Sequence, residues 1–189
     1  MNNLSNLTVI ILTHRTNLNI LKNCLSSIDN EVKIKIIENS LEFNNKKEIE
    51  KNFCNASVYC TGSNLGYGSG NNFGLDKVNT NYALILNPDV ICDEKFFINI
   101  KKYLQNDLDF SIIGISYYKN NEYKPAGFFN NKDLNQANFI KEYNLHEVDW
   151  VVGCAMLINL KKFNTKKIFD ENIFLFWEET DLCQRIKKN

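Results

Sequence analysis

The chain has 189 residues, enough for one domain that buries its own core without disulfides or metals. Hydrophobic residues make up 44% and charged residues 23% of the total, a composition that excludes an intrinsically disordered chain. The 22 lysines and arginines balance the 22 aspartates and glutamates, which argues against a broad basic surface for nucleic acid.

The sequence lacks the marks of a membrane-spanning or exported protein. Its longest apolar runs, over residues 8–12 and 150–158, are far shorter than the roughly 20 residues that span a bilayer. Residues 1–6 lack the basic start and the long apolar run of a signal peptide. These features predict a cytoplasmic protein.

Six cysteines agree with that compartment. None belongs to a Cys-x-x-Cys pair or has the spacing of a zinc site, and most lie inside apolar runs. Buried free thiols are therefore predicted, with a disulfide or a redox role as the alternative. The six are Cys24, Cys54, Cys60, Cys92, Cys154 and Cys183.

Five strands are predicted in the first half of the chain, each an apolar and mostly β-branched run. They cover residues 7–12, 32–37, 56–60, 82–86 and 110–116. Helical patterns separate them, over residues 18–28 after a cap at Asn17, over 41–53, up to about Val78, and after a cap at Asp93. Strands that alternate with helices predict a mostly parallel sheet with right-handed crossovers.

The second half, from about residue 117 to residue 189, is aromatic and rich in loops. It is predicted to be a smaller, partly antiparallel portion, with its longest strand over residues 147–158 and a helix over about 178–188. No linker or repeat divides the chain. Residues 1–189 are therefore expected to form a single α/β domain.

Small polar residues follow each of the first four predicted strands. These clusters are Thr13-His14-Arg15, Glu38-Asn39-Ser40, residues 62–66 and Asn87-Pro88-Asp89. The carboxyl ends of parallel strands share one edge of a sheet, and ligands bind at that edge. The alternative is that these are ordinary turns, because turns use the same residue types.

The glycines of the chain do not form a dinucleotide or phosphate loop. Gly66, Gly68, Gly70 and Gly74 follow the third predicted strand, whereas the dinucleotide fingerprint follows the first strand and needs glycine where Phe73 stands. No G-x-x-x-x-G-K-[ST] segment occurs. These two observations argue against nicotinamide and P-loop chemistry.

Six segments in order, from Val9 to Arg185, carry a resemblance to a known family. They are residues 9–15 (VIILTHR), residues 36–40 (IIENS), Asn64-x-Gly66 with Asn72-x-Gly74, residues 86–89 (LNPD), residues 150–155 (WVVGCA), and residues 169–171 (FDE) with 176–185 (FWEETDLCQR). The series resembles the family 2 glycosyltransferases with the A-type nucleotide-sugar fold, especially the bacterial rhamnosyltransferase-like branch. The resemblance implies a Rossmann-like, mostly parallel sheet flanked by helices, and an inverting transfer of a sugar from a nucleoside diphosphate.

The resemblance also implies roles for particular residues. The residues implied in nucleotide-sugar binding are Thr13, His14, Arg15, Glu38, Asn39, Ser40, Asn64, Gly66, Asn72, Asn87 and Asp89. Asp89 is in addition the implied ligand of Mg²⁺ or Mn²⁺, since hard cations take oxygen ligands and leave positions open for phosphate.

Acceptor-side roles fall in the second half. Trp150, Gly153 and Asp181 are implied at the acceptor, and Glu179 is the expected general base, with Glu178 as second choice. Three alternatives stay open. Trp150 can be a core residue, Asp181 can form an ion pair with Arg185, and the acidic residues can serve only to offset the helix dipole.

Two further expectations concern the surroundings of these residues. The aromatic side chains of Phe174, Phe176 and Trp177 are expected to pack against the sheet. Lys187 and Lys188 are expected to be solvated, with a peripheral contact to anionic lipid at the inner face of the membrane as a weaker expectation.

The chain departs from the family pattern at Glu38 and Glu179, where Asp is usual, and it stops near Arg185, where the family usually continues. The expected donor is a deoxythymidine-diphosphate sugar such as dTDP-rhamnose, and the expected acceptor is a cell-envelope glycan or a lipid-linked glycan. The alternative is a non-catalytic or partner-dependent core that only binds the nucleotide sugar.

Overall fold

The computed structural model describes residues 3–105, 108–129, 139–141 and 144–188. Met1 and Asn2, part of the segment examined for a signal peptide, lie outside the described residues. The helices are α1 (Leu18–Ser26), α2 (Lys46–Asn52), α3 (Tyr67–Asp76), α4 (Phe96–Gln105) and α5 (Glu178–Lys188). Short 3₁₀ helices cover Asn3–Asn6 and Leu160–Lys162.

The strands fall into one large sheet and three small ones. Those of the large sheet are β1 (Leu7–Thr13), β2 (Lys33–Glu38), β3 (Ala56–Cys60), β4 (Tyr82–Leu86), β5 (Ile112–Gly114) and β12 (Ala155–Asn159). The others are β6 (Tyr117–Lys119), β7 (Glu122–Lys124), β8 (Gly127–Phe128), β9 (Phe139–Ile140), β10 (Leu145–His146) and β11 (Trp150–Val151).

The large sheet has the order β3-β2-β1-β4-β12-β5. Strands β1 to β4 are parallel, β12 runs antiparallel to β4, and β5 runs antiparallel to β12 at the edge. Three antiparallel pairs, β6-β7, β8-β11 and β9-β10, form the small sheets. The prediction of a mostly parallel α/β sheet with a partly antiparallel second portion is confirmed.

Alternate side chains of β1 enter two different cores. Val9 and Ile11 are buried on the face covered by α1, α2 and α4, while Ile10 is buried on the face covered by α3 and α5. Successive side chains of a strand point to opposite faces, so a strand buried on both faces needs a continuous apolar run. The run from Leu7 to Leu12 meets that need.

Local sequence signals place α1 as predicted. The side chain of Asn17 accepts hydrogen bonds from the backbone N–H groups of Asn19 (2.9 Å) and Ile20 (3.4 Å), which caps the helix. Leu21 and Leu25, one turn apart, are buried against the sheet.

Helix α2 and strand β5 are shorter in the structure than predicted. Helix α2 begins at Lys46 and not at Leu41, because the Ser40 hydroxyl donates to the carbonyl of Glu42 and holds a turn there. The strand predicted over 110–116 is shorter, since only Ile112 to Gly114 pair with β12.

The prediction of one strand over residues 147–158 is wrong. The backbone N–H of Val152 donates to the carbonyl of Ala126, whereas the carbonyl of Cys154 accepts from Asn87 N–H. The chain therefore changes pairing partner between β11 and β12. The break at 152–154 lies beside the end of β4.

All six cysteines are free thiols, as predicted. The prediction of burial holds for Cys24, Cys92 and Cys183, whereas Cys60 and Cys154 are partly exposed and Cys54 is exposed. None of the helices in the described part of the chain is long and apolar enough to cross a membrane.

Candidate functional site

The polar ends of β1 and β2 meet at the carboxyl edge of the sheet. The register places Thr13 opposite Glu38. The Glu38 carboxylate, only 2% exposed, accepts hydrogen bonds from the Thr13 hydroxyl (2.6 Å), the Ser40 hydroxyl (2.7 Å) and the backbone N–H of Arg15 (3.2 Å). Glu38 therefore ties together the two loops that follow β1 and β2.

Asn39 joins this pair of loops to the loop after β3. Its side-chain amide donates to Asn64 Oδ1 and to the carbonyl of Gly66, both at 2.9 Å, and its Oδ1 accepts from the backbone N–H of Leu65. Asn64 Oδ1 also accepts from the N–H of Gly66. These amides act as internal braces of the edge.

The side chains of His14 and Arg15 are exposed at this edge. The His14 ring lies with Nδ1 2.8 Å from the carbonyl oxygen of Asn39. Arg15 has a left-handed backbone, with φ of 53°, which its N–H bond to Glu38 helps to hold. Both side chains are accessible to a ligand that lies over the edge.

The segment after β4 is a tight turn that presents an exposed carboxylate. The carbonyl of Asn87 accepts from the N–H of Val90 at 3.2 Å, with Pro88 in the position that proline favours. Asp89 is exposed and makes no hydrogen bond or ion pair within the described residues. Its oxygens are free to bind a ligand.

A second group of polar atoms surrounds Gly153, in the break between β11 and β12. The Tyr67 hydroxyl, at the start of α3, donates to the Gly153 carbonyl at 2.5 Å. A methyl group on Gly153 would lie 3.3 Å from the Tyr67 Oη and 3.6 Å from the carboxyl carbon of Glu179. Gly153 therefore leaves a small space that the Glu179 carboxyl borders.

The two adjacent glutamates of α5 have different surroundings. Glu178 is 2% exposed, and burial raises the pKa of its carboxyl, with the charge of Glu179 adding to the effect. Glu179 is partly exposed. Asp181, one of the implied acceptor residues, accepts a hydrogen bond from Arg185 Nε at 2.8 Å, so the ion pair held open as its alternative is present.

Electrostatic effects on Cys154 relate the turn after β4 to α5. Burial is the main cause that raises the pKa of the Cys154 thiol, and the charges of Asp89 and Glu179 add to it. Direct contacts link the same elements, since the N–H of Asn87, two residues before Asp89, donates to the Cys154 carbonyl at 2.9 Å, and the Glu179 carboxyl borders Gly153. The turn of the expected metal ligand and the expected base therefore both adjoin the 152–154 segment.

The structure does not bring every expected residue to this edge. Asn72 is 3% exposed, and its side-chain amide binds the backbone of Phe169. Asn72 Oδ1 accepts a hydrogen bond from the Phe169 N–H (3.0 Å), and Asn72 Nδ2 donates one to the Phe169 carbonyl (2.9 Å). Asn72 therefore braces the 168–170 segment and is not available to a nucleotide. Trp150 is half-buried and stacks on Phe128, with ring centroids 4.4 Å apart.

The expectation that the aromatic residues before α5 pack against the sheet is wrong. Phe174, Phe176 and Trp177 are 57%, 71% and 72% exposed. Phe176 and Trp177 have left-handed φ angles of 70° and 73°, which turn the chain into α5. Farther along α5, Lys187 is exposed and forms an ion pair with Asp149.

The described residues could bind a divalent cation only if the substrate supplied most of its ligands. Among the described residues no three His, Cys, Asp or Glu side chains cluster as a metal site. Mg²⁺ is commonly held by one or two carboxylates together with substrate phosphates. Asp89, which is exposed and has no hydrogen bond or ion pair to any described residue, suits that mode.

Sequence reasoning missed Tyr67 and Asn71. Tyr67 directly follows Gly66 and links α3 to two distant segments, through its hydroxyl to Gly153 and through its N–H to the Phe174 carbonyl (3.0 Å). Asn71 is fully buried one turn later. The one available signal was an aromatic residue and a polar residue four apart within a glycine-rich helix.

Known structures share the fold. Residues 1–349 of TarS of S. aureus superpose with a TM-score of 0.72 at 14% identity, over 95% of this chain and 54% of that fragment. The mannosyltransferase PcManGT of Pyrobaculum calidifontis, solved with GDP-Man and Mn²⁺, gives a TM-score of 0.62 at 9% identity, over 96% of this chain and 51% of that one. At such identities the likeness establishes the fold alone, and that fold is the A-type one that the resemblance implied.

Curated relatives are similar in sequence. The low-salt glycan biosynthesis hexosyltransferase Agl10 of Haloferax volcanii is 27% identical over 98% of this chain, and the chain covers 62% of it. The rhamnosyltransferase WbbL of Escherichia coli K12 is 25% identical over 68% of this chain, which covers 56% of WbbL. The chain thus spans less than two thirds of these relatives. A family model for glycosyl transferase family 2 matches residues 8–169, and the chain therefore belongs to that family.

Proposed function

We propose that this chain is a glycosyltransferase domain that moves a sugar from a nucleoside diphosphate to an acceptor hydroxyl. The observation that carries the proposal is that residues 152–154 adjoin both the turn of Asp89 and the Glu179 carboxyl. Asn87 N–H donates to the Cys154 carbonyl at 2.9 Å, and a methyl group on Gly153 would lie 3.6 Å from the Glu179 carboxyl carbon. Such a transfer needs charge neutralisation at the leaving diphosphate and a base at the acceptor. The two carboxylates are available for these two tasks.

The first half of the chain, about residues 7–116, binds the donor in this proposal. Thr13, Glu38 and Ser40 form a braced cradle, over which the accessible His14 and Arg15 side chains contact the nucleotide. Because three protein groups already donate to Glu38, we assign it chiefly to holding this cradle in shape. The Arg15 guanidinium supplies positive charge for an anionic donor.

Asp89 would hold the divalent cation, Mg²⁺ or Mn²⁺, with the diphosphate oxygens as the remaining ligands. When bound, the cation offsets the negative charge that grows on the leaving diphosphate. Two observations support a cation. The Asp89 carboxylate is exposed and unpaired among the residues that the structure describes, and the structural neighbour PcManGT was solved with Mn²⁺.

The second half, about residues 117–189, carries the acceptor and the base. The acceptor oxygen forms its bond to the anomeric carbon as the bond from that carbon to the diphosphate oxygen breaks, and the diphosphate leaves with the electron pair. The acceptor proton passes to the Glu179 carboxylate. A single displacement of this kind inverts the anomeric centre. Gly153 provides the space in which the acceptor hydroxyl reaches Glu179.

The curated relatives suggest which donor and which class of acceptor this chain uses. dTDP-rhamnose or a similar deoxysugar nucleotide is our first choice of donor, because WbbL is a rhamnosyltransferase. A cell-envelope glycan or lipid-linked glycan is the proposed acceptor, met at the cytoplasmic face of the membrane. Agl10, a hexosyltransferase of glycan biosynthesis, agrees with a glycan acceptor.

A second candidate function is a nucleotide-sugar-binding core that needs a partner chain or further residues for transfer. It is favoured by the span of the chain, which covers 62% and 56% of its two relatives. The two candidates differ in turnover. An enzyme releases nucleoside diphosphate when donor and acceptor are both present, whereas a core alone binds the donor and releases nothing.

Thermal unfolding with a panel of nucleoside diphosphate sugars, each with and without Mn²⁺, tests the proposal. A ligand at a hundred times its Kd stabilises the folded state by about 2.7 kcal/mol, which raises the Tm of a domain of this size by about 5–10 °C. We expect the largest shift with thymidine donors and Mn²⁺. If no nucleoside diphosphate raises the Tm, the proposal is wrong.

A further inference from the structure

The contact between α3 and α5 contains two buried oxygen atoms without a hydrogen-bond partner. They are Asn71 Oδ1 and Glu178 Oε1, and these residues are 0% and 2% exposed. No other side-chain nitrogen or oxygen buried in the described residues lacks a partner. An unsatisfied buried polar atom is costly, so the pair calls for a physical explanation.

The helices bring these two residues to one contact. Glu178 packs on Gly68 of α3, because a methyl group on Gly68 would lie 3.4 Å from Glu178 Cγ. Asn71 lies three residues after Gly68, on the same face of α3. The Asn71 amide nitrogen donates to the Tyr67 carbonyl at 3.0 Å, which leaves Oδ1 to accept a bond from elsewhere.

The protonation state of Glu178 decides whether both atoms can be satisfied. An ionised carboxylate only accepts hydrogen bonds, as Asn71 Oδ1 does, so two acceptors would face each other. A protonated carboxyl has an O–H that donates to an amide oxygen. Protonation therefore gives Glu178 Oε1 and Asn71 Oδ1 a partner in one step.

We propose that Glu178 is a neutral carboxylic acid in the folded protein, that it donates a hydrogen bond to Asn71, and that it thereby positions Glu179. The last part rests on the proposed function, since it assigns Glu179 as the base. Glu178 is then a positioning residue that fixes the first turn of α5 on α3. Glu179, the next residue, is held beside Gly153.

The electrostatics of the contact support a neutral Glu178. Burial raises the pKa of its carboxyl, the charge of Glu179 raises it further, and backbone hydrogen bonds at Glu178 and Phe176 oppose the shift in part. The titratable groups that face it are Glu179 on α5 and the phenol of Tyr67 on α3. Neither of them is a cation that would stabilise the ionised form.

The two adjacent glutamates therefore have different roles, which require different charge states. A base must be ionised to take a proton, whereas a buried brace is best neutral. If Glu178 were ionised, its charge would lie next to that of Glu179 and would also oppose the burial of the helix start. The neutral acid removes both effects.

Unfolding by urea from pH 4 to pH 8 tests the charge state without any assay of transfer. In the unfolded chain Glu178 loses its proton near the ordinary glutamate pKa, but in the folded protein it keeps the proton to higher pH. The stability that this group confers is therefore present at low pH and is lost as pH rises between the two pKa values. Glu178→Gln, neutral at every pH and able to donate to Asn71, removes that loss.

We expect the unfolding equilibrium constant of the wild type to rise relative to Glu178→Gln by up to tenfold per pH unit above about pH 4.5. The matched control, Glu179→Gln, changes the neighbouring and more exposed carboxyl. Its curve should still show the loss of stability above about pH 4.5, over a narrower pH range, because the charge of Glu179 no longer adds to the rise of the Glu178 pKa. If the wild type and Glu178→Gln show parallel curves, Glu178 is ionised in the folded protein and the proposal is overturned.

Transfer kinetics test the positioning role. We expect Glu178→Ala to lower kcat at least tenfold while the Kd for the donor stays unchanged, and Glu178→Gln to restore kcat to within about threefold of the wild type. If Glu178→Gln is as slow as Glu178→Ala, the positioning role is overturned. If Glu178→Ala does not fold, a Glu178→Gln variant more than about threefold slower than the wild type still overturns the positioning role. A wild type without transfer refutes the proposed function, while the urea measurement still decides the charge state of Glu178.

Discussion

At the scale of single residues, the adjacent carboxyls of Glu178 and Glu179 show how position on a helix sets chemistry. Consecutive helical residues point about 100° apart, so one carboxyl enters the contact with α3 and the other borders Gly153. Burial raises the pKa of the first, and partial exposure leaves the second accessible to an acceptor. The sequence pair Glu-Glu therefore contains two different functional groups.

Glu179→Gln separates catalysis from binding. The amide keeps the shape of the side chain but cannot take a proton, and a general base acts only in the transition state. We expect transfer to fall by roughly 10²–10⁴-fold, with the donor Kd nearly unchanged. Single-turnover transfer and titration with donor measure the two quantities. A normal transfer rate in this variant means that the base is another residue.

Asp89→Ala tests the proposed cation ligand. Asp89 is exposed and makes no bond within the described part of the chain, so its loss should change the free energy of unfolding by less than about 0.5 kcal/mol. We expect the Mn²⁺-dependent part of nucleoside diphosphate binding to disappear, as measured by titration with and without Mn²⁺. Glu94→Ala, which removes another exposed carboxylate nearby, is the control and should keep the Mn²⁺ dependence. An unchanged Mn²⁺ dependence in Asp89→Ala would show that Asp89 does not bind the cation and is only a turn residue.

At the scale of elements, the loop before α3 and the segment before α5 are held together by backbone contacts. The N–H of Tyr67 donates to the Phe174 carbonyl, and Asn72 bonds both backbone groups of Phe169. Gly66 has a left-handed φ of 84°, and a methyl group on it would lie 2.1 Å from the Phe174 carbonyl oxygen. This close approach brings the expected donor loop next to the start of α5, which carries the proposed base Glu179.

Comparing Gly66→Ala with Gly62→Ala separates the effect of the close contact with Phe174 on stability from the effect of backbone strain. Both glycines have left-handed φ angles, 84° and 87°, but a methyl group on Gly62 meets nothing within 4 Å. We expect Gly62→Ala to cost about 1 kcal/mol of stability through strain alone, and Gly66→Ala to cost at least about 3 kcal/mol, because backbone must also move. Urea unfolding measures both. Equal losses would show that the approach of Phe174 does not contribute to stability.

At the scale of the whole molecule, the large sheet separates two apolar cores. Leu84 of β4 is fully buried in the core shared with α1 and α4, and Ile85, the next residue, is buried in the core shared with α3 and α5. Strand β4 pairs with β1 on one side and with β12 on the other. Packing at this strand therefore supports both halves of the chain at once.

Leu84→Ala tests this central position. Removing a fully buried leucine side chain leaves a cavity and should lower the free energy of unfolding by about 2–5 kcal/mol. Ile91→Ala, at a site that is 61% exposed just beyond the same strand, is the control and should change it by less than about 0.5 kcal/mol. Similar losses in the two variants would contradict the assignment of β4 to the centre of the core.

The sequence by itself determined the parts of the fold that short segments specify. Runs such as Leu7 to Leu12 need burial on both faces and so predict central parallel strands, and Asn17 caps α1 through its own side chain. Polar residues after each strand predicted a shared edge. The parallel register that places Thr13 beside Glu38 forms that edge for β1 and β2.

Only the tertiary structure decided which distant segments meet. Strand β12 lies between β4 and β5, and the chain breaks at Gly153, because the carbonyl and N–H groups there find partners in Asn87, Ala126 and β4. The burial of Glu178 and the exposure of Phe176 likewise depend on where α5 begins on α3. Periodicity records which residues share a face of one element, but the partner of that face is set by contacts between residues far apart in sequence.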